Sequence, residues 1–332
     1  MSELVRLEKV SRRFAQPAGL TRRLAVAAGL SQPPSVVRAV SDVDLTIRAG
    51  EALGLVGESG CGKSTLGRII AGILPPSEGR AMLDGARVMG EGRRPVKTTT
   101  RVQMIFQDPF ASLDPRWKIG AAISEGPIAH GLVAPSEARA FVVGWLQAVG
   151  LPPDVADRYP HQFSGGQRQR VAIARALAMK PDVLVCDEPV ASLDVSIQAQ
   201  IINLFLTLRR ELDLTLLFIS HDLGVVRHVC DRIAIMYLGR IVEMGPTQVV
   251  MSAPLHPYAR ALLDSIPRLA LEGDEAAFRP IAGELPSPLA PPPGCHFHVR
   301  CRRAAESCIR QSPLLTPRGP SRSVACHFPI EE

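Results

Sequence analysis

No apolar run in this 332-residue chain approaches the roughly 18 residues that a membrane-spanning helix needs, and the longest, such as Leu214 to Ile219, fall far short. A transmembrane helix is therefore excluded. The first ten residues carry Glu3, Arg6, Glu8 and Lys9, so they lack the apolar core of a signal peptide. The protein is expected to stay in the cytoplasm. Aromatic residues make up only 5% of the chain and its basic residues are scattered, so the net charge of +6 does not form the footprint of a nucleic-acid-binding protein. There are no heptads, no internal repeat, and no low-complexity tract beyond the prolines between Pro286 and Pro293. None of the seven cysteines has a partner at the two-to-four-residue spacing of a zinc knuckle.

With 46% hydrophobic and 21% charged residues, the chain can bury a large core and exceeds what one ordinary domain needs. From Leu4 to about Gly245 short apolar runs alternate with helix-compatible segments, the pattern of a mainly parallel sheet covered by helices. A Pro/Gly-punctuated, Arg-rich loop from about Ala15 to Pro34 interrupts it, as does a helical insertion at about 108–169. After Gly245-Pro246 the composition shifts toward proline and then cysteine. The expectation is an α/β main domain over 1–245 with an inserted helical subdomain, followed by a small cysteine-containing domain over 246–332.

Ala52 to Val56 reads as a buried strand, runs into Gly57-Glu58-Ser59-Gly60-Cys61-Gly62-Lys63-Ser64-Thr65, and is followed by a helical pattern. This is a P-loop in its required context. Glycines let successive N–H groups surround phosphate oxygens, and the helix presents its positive end to the anion. Lys63 is placed for the β- and γ-phosphates and Ser64 for magnesium, which prefers hard oxygen ligands.

Three further strand-like runs end in polar residues, where an open parallel sheet binds its ligands. Val102 to Phe106 leads to Gln107, Val183 to Cys186 leads to Asp187-Glu188, and Leu216 to Ile219 leads through Ser220 to His221. Each alone has a bland reading as a turn cap, a solvated acid or a structural histidine. Together they suit phosphoryl transfer to water. Asp187 joins the magnesium shell, Glu188 polarises the attacking water, Gln107 contacts metal or water, and His221 bonds the γ-phosphate.

Between the P-loop and the acidic pair lies Phe163-Ser164-Gly165-Gly166-Gln167-Arg168-Gln169-Arg170, opening an alanine-rich helical pattern. A serine and two glycines at a helix start form a second anion site. Here the chain closely resembles the ATP-binding-cassette family, whose signature is Leu-Ser-Gly-Gly-Gln, with Phe163 in place of leucine. The resemblance implies a P-loop ATPase cassette in which Ser164, Gly165, Gly166 and Gln167 contact ATP held by a second subunit's P-loop. It implies that Gln107 senses membrane subunits, that Ala191 to Asp194 join the two sites, and that Phe14 stacks on adenine. The alternative for Phe14 is a core aromatic at the end of the first strand.

Gln107-Asp108-Pro109-Phe110-Ala111-Ser112-Leu113-Asp114-Pro115-Arg116 resembles the oligopeptide, dipeptide and nickel importer branch. So does Leu255-His256-Pro257-Tyr258-Ala259, although threonine is more usual at Ala259. The resemblance implies two transmembrane permeases, a second and often different ATPase, an extracytoplasmic solute-binding protein, and a peripheral location on the cytoplasmic face of the cell inner membrane.

Cys295, Cys301, Cys308 and Cys326 place four thiols in the tail. Four thiolates suit zinc or an iron–sulfur cluster. Similar tails in this branch are associated with a four-iron four-sulfur cluster, the absence of closely paired cysteines tilts the same way, and His296, His298 and His327 leave a mixed site open. Zinc and unligated thiols are the alternatives. Cys61, Cys186 and Cys230 fall within the ATPase core, where packing is expected. The rival overall reading is a soluble cassette ATPase acting on nucleic acid or ribosomes. One uninterrupted cassette without heptads argues against it.

Overall fold

The computed structural model describes residues 2–15, 35–92, 94–108, 113–265, 281 and 283–331. The loop expected between Ala15 and Pro34 lies, beyond Ala15, outside the described residues, as do Pro109 to Ser112. In chain order the first elements are β1 (Glu3–Ala15), β2 (Val36–Arg48), β3 (Ala52–Val56), α1 (Lys63–Ile70), β4 (Glu78–Leu83), β5 (Ala86–Arg87) and β6 (Val102–Ile105). The helices α2 (Ile119–Ala129), α3 (Ala138–Ala148) and α4 (Gly165–Ala178) follow, then β7 (Val183–Asp187), α5 (Val195–Leu212), β8 (Thr215–Ile219) and α6 (Leu223–Val229). The chain closes with β9 (Arg232–Tyr237), β10 (Arg240–Pro246), α7 (Thr247–Ser252), α8 (Pro257–Asp264), α9 (Glu306–Arg310), β11 (Thr316–Pro317) and β12 (Ser323–Val324).

The larger sheet has the order β11-β12-β10-β9-β3-β8-β7-β6, with β9, β3, β8, β7 and β6 mutually parallel. All residues of β3, β7 and β8 are buried, as expected for strands covered on both faces. Their side chains sort alternately onto two cores. Leu53, Leu55, Val183, Val185, Leu217 and Ile219 join α1 and the N-terminal strands, whereas Leu184, Cys186, Leu216 and Phe218 face α4, α5 and α6. Helix α1 lies close because Gly67 has no side chain, and a Cβ there would sit 2.6 Å from Ile219 Cδ1.

Three features add to the sequence expectation. The N-terminal strands form a separate four-stranded antiparallel sheet, β2-β1-β4-β5, and β1 breaks register several times against β2, which blurs the period-two pattern in the sequence. The helical insertion has no boundary at 169, because α4 runs unbroken to Ala178 while α2 and α3 pack against it. The tail does not build a core of its own either. β12 pairs antiparallel with β10, which extends the main sheet, and Tyr258, Ala259 and Phe297 join the core beneath it. The tail thus packs its apolar residues onto a face of the main sheet.

A buried ion pair fastens the tail to the sheet. Glu243 on β10 is inaccessible to solvent and accepts from Arg322 Nη2 at 2.7 Å, while its carboxylate also takes the N–H groups of Leu255 and His256. His256 then caps α8, its Nδ1 accepting from the Tyr258 N–H at 3.0 Å, while its buried Nε2 has no hydrogen-bond partner. Burial lowers the His256 pKa to about 3. Above pH ~6.5 the imidazole is neutral in both folded and unfolded chain. Below that the unfolded chain gains a proton that the native state refuses, so stability falls by up to ~1.4 kcal/mol per pH unit until the native pKa is reached. Among the described residues no helix is long and apolar enough to cross a membrane. His256→Asn, which keeps an acceptor for Tyr258 but cannot titrate, should lose about 2 kcal/mol less than the wild type between pH 7 and pH 5 in urea denaturation.

Candidate functional site

The P-loop leaves the buried end of β3 and closes onto α1 through Gly62, whose φ of 110° is left-handed. Both Gly57 and Gly62 are squeezed by neighbouring backbone. A Cβ would lie 2.2 Å from the Met236 carbonyl oxygen at Gly57 and 2.1 Å from that of Ala39 at Gly62. The loop can follow this path only without side chains there. Within the loop the Glu58 N–H donates to the Tyr258 hydroxyl and the Cys61 N–H to the Glu58 carbonyl oxygen, and the remaining amides lead into a helix start.

The Lys63 side chain is buried and bends over the loop, Nζ donating to the carbonyls of Gly57 at 2.7 Å and Glu58 at 3.1 Å. Ser64 Oγ donates to Asp187 Oδ1 at 2.8 Å, joining the start of α1 to the end of β7. Burial raises the Asp187 pKa, and the Ser64 hydrogen bond and the Arg68 charge pull against it. The pair offers two hard oxygens side by side. That is a donor set suited to magnesium, which commonly takes one or two protein oxygens and completes its octahedron with phosphate and water.

Glu188 adopts a left-handed backbone, φ 48°, and its N–H is fixed to the Ile219 carbonyl at 2.9 Å. This non-glycine strain at a strand end turns the side chain toward the rim. There Gln107 Nε2 donates to Glu188 Oε2 at 3.1 Å, and His221 Nδ1 approaches the same oxygen at 3.3 Å. The three strand-end residues singled out from the sequence thus meet on one carboxylate oxygen. The Glu188 side chain is 16% exposed and that of His221 is 60% exposed, so the cluster faces solvent from its histidine side.

The Ser-Gly-Gly-Gln segment opens α4. Ser164 is the N-cap and shares a reciprocal capping box with Gln167, Oγ accepting from the Gln167 N–H and Gln167 Oε1 from the Ser164 N–H. Gly166 lets α4 sit on α5, since a Cβ would come within 2.5 Å of Ile197 Cγ2, and Gly165 lies against Leu193. The segment Ala191–Asp194 is therefore in contact with the signature helix. Among the described residues no hydrogen bond joins Ser164 to Gln167 with the P-loop of the same chain. Phe14 ends β1 with 38% of its surface exposed and the Arg12 guanidinium 4.7 Å from its ring centre. Its ring is therefore not a buried core aromatic.

In the tail, Cys295, Cys301, Cys308 and Cys326 line one cavity of about 10 Å³ together with His298 and His327. Burial raises the thiol pKa values of Cys295 and Cys301, and that of Cys326 to about 11. Among the described residues no group of three or more His, Cys, Asp or Glu is arranged to hold a metal ion. Zinc would need its sulfurs at ~2.3 Å from one point. His296 turns away, its Nδ1 at 2.8 Å from the Leu238 carbonyl oxygen. Cys61, Cys186 and Cys230 are buried in the main core. Sequence reasoning missed Tyr237, Tyr258 and Arg300, which lie directly behind the P-loop. No local motif marked them as partners of a loop about 200 positions away.

A strand–P-loop–helix unit, a second glycine-led helix start and a strand-end Gln-Asp-Glu-His set define a cassette-type P-loop ATPase. The family model for ABC transporters matches residues 40–191, and that for the oligopeptide/dipeptide transporter C-terminal region matches 242–308. A putative peptide import ATP-binding protein of Brucella abortus (strain 2308) is 52% identical over 288 residues, 86% of this chain and 84% of that protein. The oligopeptide transport ATP-binding protein AppF of Bacillus subtilis is 47% identical, over 85% of this chain and 87% of its own length. Among solved structures, cbiO1 of Clostridium perfringens, part of the ABC transporter complex cbiONQ, aligns with a TM-score of 0.60 at 28% identity, covering 76% of this chain and 92% of that one. The ATP-binding cassette MJ0796, in a dimeric post-hydrolysis state with ADP and Pi, aligns with a TM-score of 0.59 at 26% identity, covering 74% and 99%. The chain belongs to the ATP-binding subunits of ABC transporters, in their oligopeptide/dipeptide branch, and it is an ATPase.

Proposed function

We propose that this chain energises the import of peptides or related small solutes through partner permeases. The observation that carries the reading is the meeting of Gln107 and His221 on Glu188 in a chain that matches peptide-import ATP-binding proteins over 86% of its length. ATP binds the amide groups of Gly57 to Thr65 with Lys63 at its β- and γ-phosphates and Phe14 beneath adenine. Ser64 and Asp187, with Gln107 at the edge, hold magnesium, whose charge would offset that of the phosphate oxygens. Glu188 takes a proton from water as the water oxygen bonds the γ-phosphorus. The bond from that phosphorus to the β-bridging oxygen breaks, and ADP leaves. His221 hydrogen-bonds the moving phosphoryl group, where charge develops.

The signature residues Ser164, Gly165, Gly166 and Gln167 serve the nucleotide on a second ATPase subunit, so closure of the pair completes each site. Contacts around Gln107 pass the motion to two permeases, and a solute-binding protein delivers cargo from outside. The chain sits peripherally on the cytoplasmic face. A role on nucleic acid lacks support from the matched relatives, whose names describe transport. The four tail thiols have the number and chemistry for an iron–sulfur cluster, a reading supported by their common cavity.

Glu188→Gln should lower ATP turnover by roughly two to four orders of magnitude while ATP binding persists. Retained turnover would overturn the role of Glu188. Purification of tagged protein from detergent-solubilised membranes should recover two permeases and a second ATPase, and uptake should follow the accompanying solute-binding protein. Recovery only from the soluble fraction with ribosomes or nucleic acid would refute the transport reading. Anaerobically purified chain should contain iron and acid-labile sulfide in equal amounts, lost in Cys308→Ser. Colourless, iron-free protein with all four tail thiols titratable would reject the cluster.

A further inference from the structure

Glu58 lies inside the P-loop, yet its carboxylate points into the tail. Arg300 grips it as a fork, Nη1 to Oε2 at 2.7 Å and Nη2 to Oε1 at 3.1 Å. The Arg300 side chain is 6% exposed and that of Glu58 is 22% exposed, so this pair is shielded from water, unlike most ion pairs on the molecule. The backbone N–H of the same residue donates to the Tyr258 hydroxyl at 2.9 Å, and burial raises the Tyr258 pKa, which keeps that hydroxyl protonated. Tyr258 is itself wedged between Tyr237 and Phe297, with ring centres 4.6 Å and 5.4 Å away. The third handle on Glu58 is its carbonyl, which accepts from Lys63 Nζ at 3.1 Å. One residue is thus held through its side chain and N–H by the tail, and through its carbonyl it holds the lysine of the phosphate cradle.

We infer that Arg300 and Tyr258 are positioning residues for nucleotide binding. They fix Glu58, and through its carbonyl the Lys63 ammonium, from behind the loop. Arg300 has a second effect, since it neutralises a carboxylate that would otherwise stand unpaired beside a polyanionic ligand. The tail is thereby part of the nucleotide site. This rests on the assignment of Gly57 to Thr65 as that site.

The test is a coupling measurement on the full-length chain, reading the Kd of a fluorescent ATP analogue, mant-ATP, with the thermal midpoint followed in parallel. Arg300→Gln should raise the Kd by about tenfold or more, because it strands a shielded carboxylate next to phosphate. Adding Glu58→Gln to it should return the Kd to within about threefold of that of Glu58→Gln alone, since the repulsive charge is gone. Arg300→Lys, which keeps charge but loses the fork, should fall between. In the assembled transporter Arg300→Gln should raise KM for ATP with kcat within about threefold, the mark of lost binding in ground and transition state alike. Tyr258→Phe deletes only a hydroxyl and should raise the Kd several-fold. A wild-type Kd in a folded Arg300→Gln protein, or an equal loss in the single and double variants, would overturn the inference. Should Arg300→Gln fail to fold, an unchanged Kd in Tyr258→Phe would do so. Lys63→Ala is the control for the underlying assignment, because an unaltered Kd there would reject the loop as the nucleotide site whatever Arg300 does.

Discussion

Parallel alignment of β3, β8, β7 and β6 brings their carboxyl ends to one rim, and every group proposed for hydrolysis hangs from that rim. Ser64 and Asp187 are 123 positions apart and share a hydrogen bond because β3 and β7 both flank β8. Gln107 and Glu188, 81 positions apart, meet because β6 and β7 are neighbours in register. The requirement runs back into composition, since strands buried on both faces must be largely apolar, and β3, β7 and β8 are so apart from Asp187 at the end of β7 and Thr215 at the start of β8. A slip of one residue in any of them would turn its end group away from the rim.

The rim positions the groups but does not hold the loop between them. The P-loop is pinned from one side by the backbone of β2 and β9 through Gly57 and Gly62, and from behind by Tyr258 and Arg300. Those last two are in place only because the tail is anchored by β12 on β10 and by the buried Glu243–Arg322 pair. Removing one member of such a pair typically costs about 3–5 kcal/mol, so the anchor is stiff on the scale of whole-domain stability. The tail thus links a thiol-lined cavity, through the Cys301 turn that Arg300 precedes, to the phosphate cradle.

The start of α4 carries the residues proposed to complete the site of a second subunit. Its capping box keeps Ser164 and Gln167 ordered with each other, and glycines at 165 and 166 bring the helix against Leu193 and Ile197. Any displacement of the Ala191–Asp194 segment is therefore felt at the signature residues. In the proposed pair of ATPases this contact would link the two nucleotide sites.

Features whose meaning is local were legible in the sequence. The glycine spacing of the P-loop, the polar residues directly after apolar strands and the serine opening an alanine-rich helix each state their chemistry within a few positions, because backbone conformation and strand-end placement are set by nearest neighbours. From these the cassette architecture, the ATPase activity and the groups that converge at Glu188 could be read in advance. The antiparallel N-terminal sheet was obscured by the register breaks of β1, which interrupt the alternation on which strand reading depends. The composition shift at Pro246 did not show that β12 would extend the main sheet, since composition reports polarity and turns but not which existing face a segment will cover. Only the tertiary structure decided that Arg300 would neutralise Glu58 and that Tyr258 would take its N–H. Each depends on packing across some 200 positions or on the path of an irregular loop, and no periodicity in the sequence encodes either.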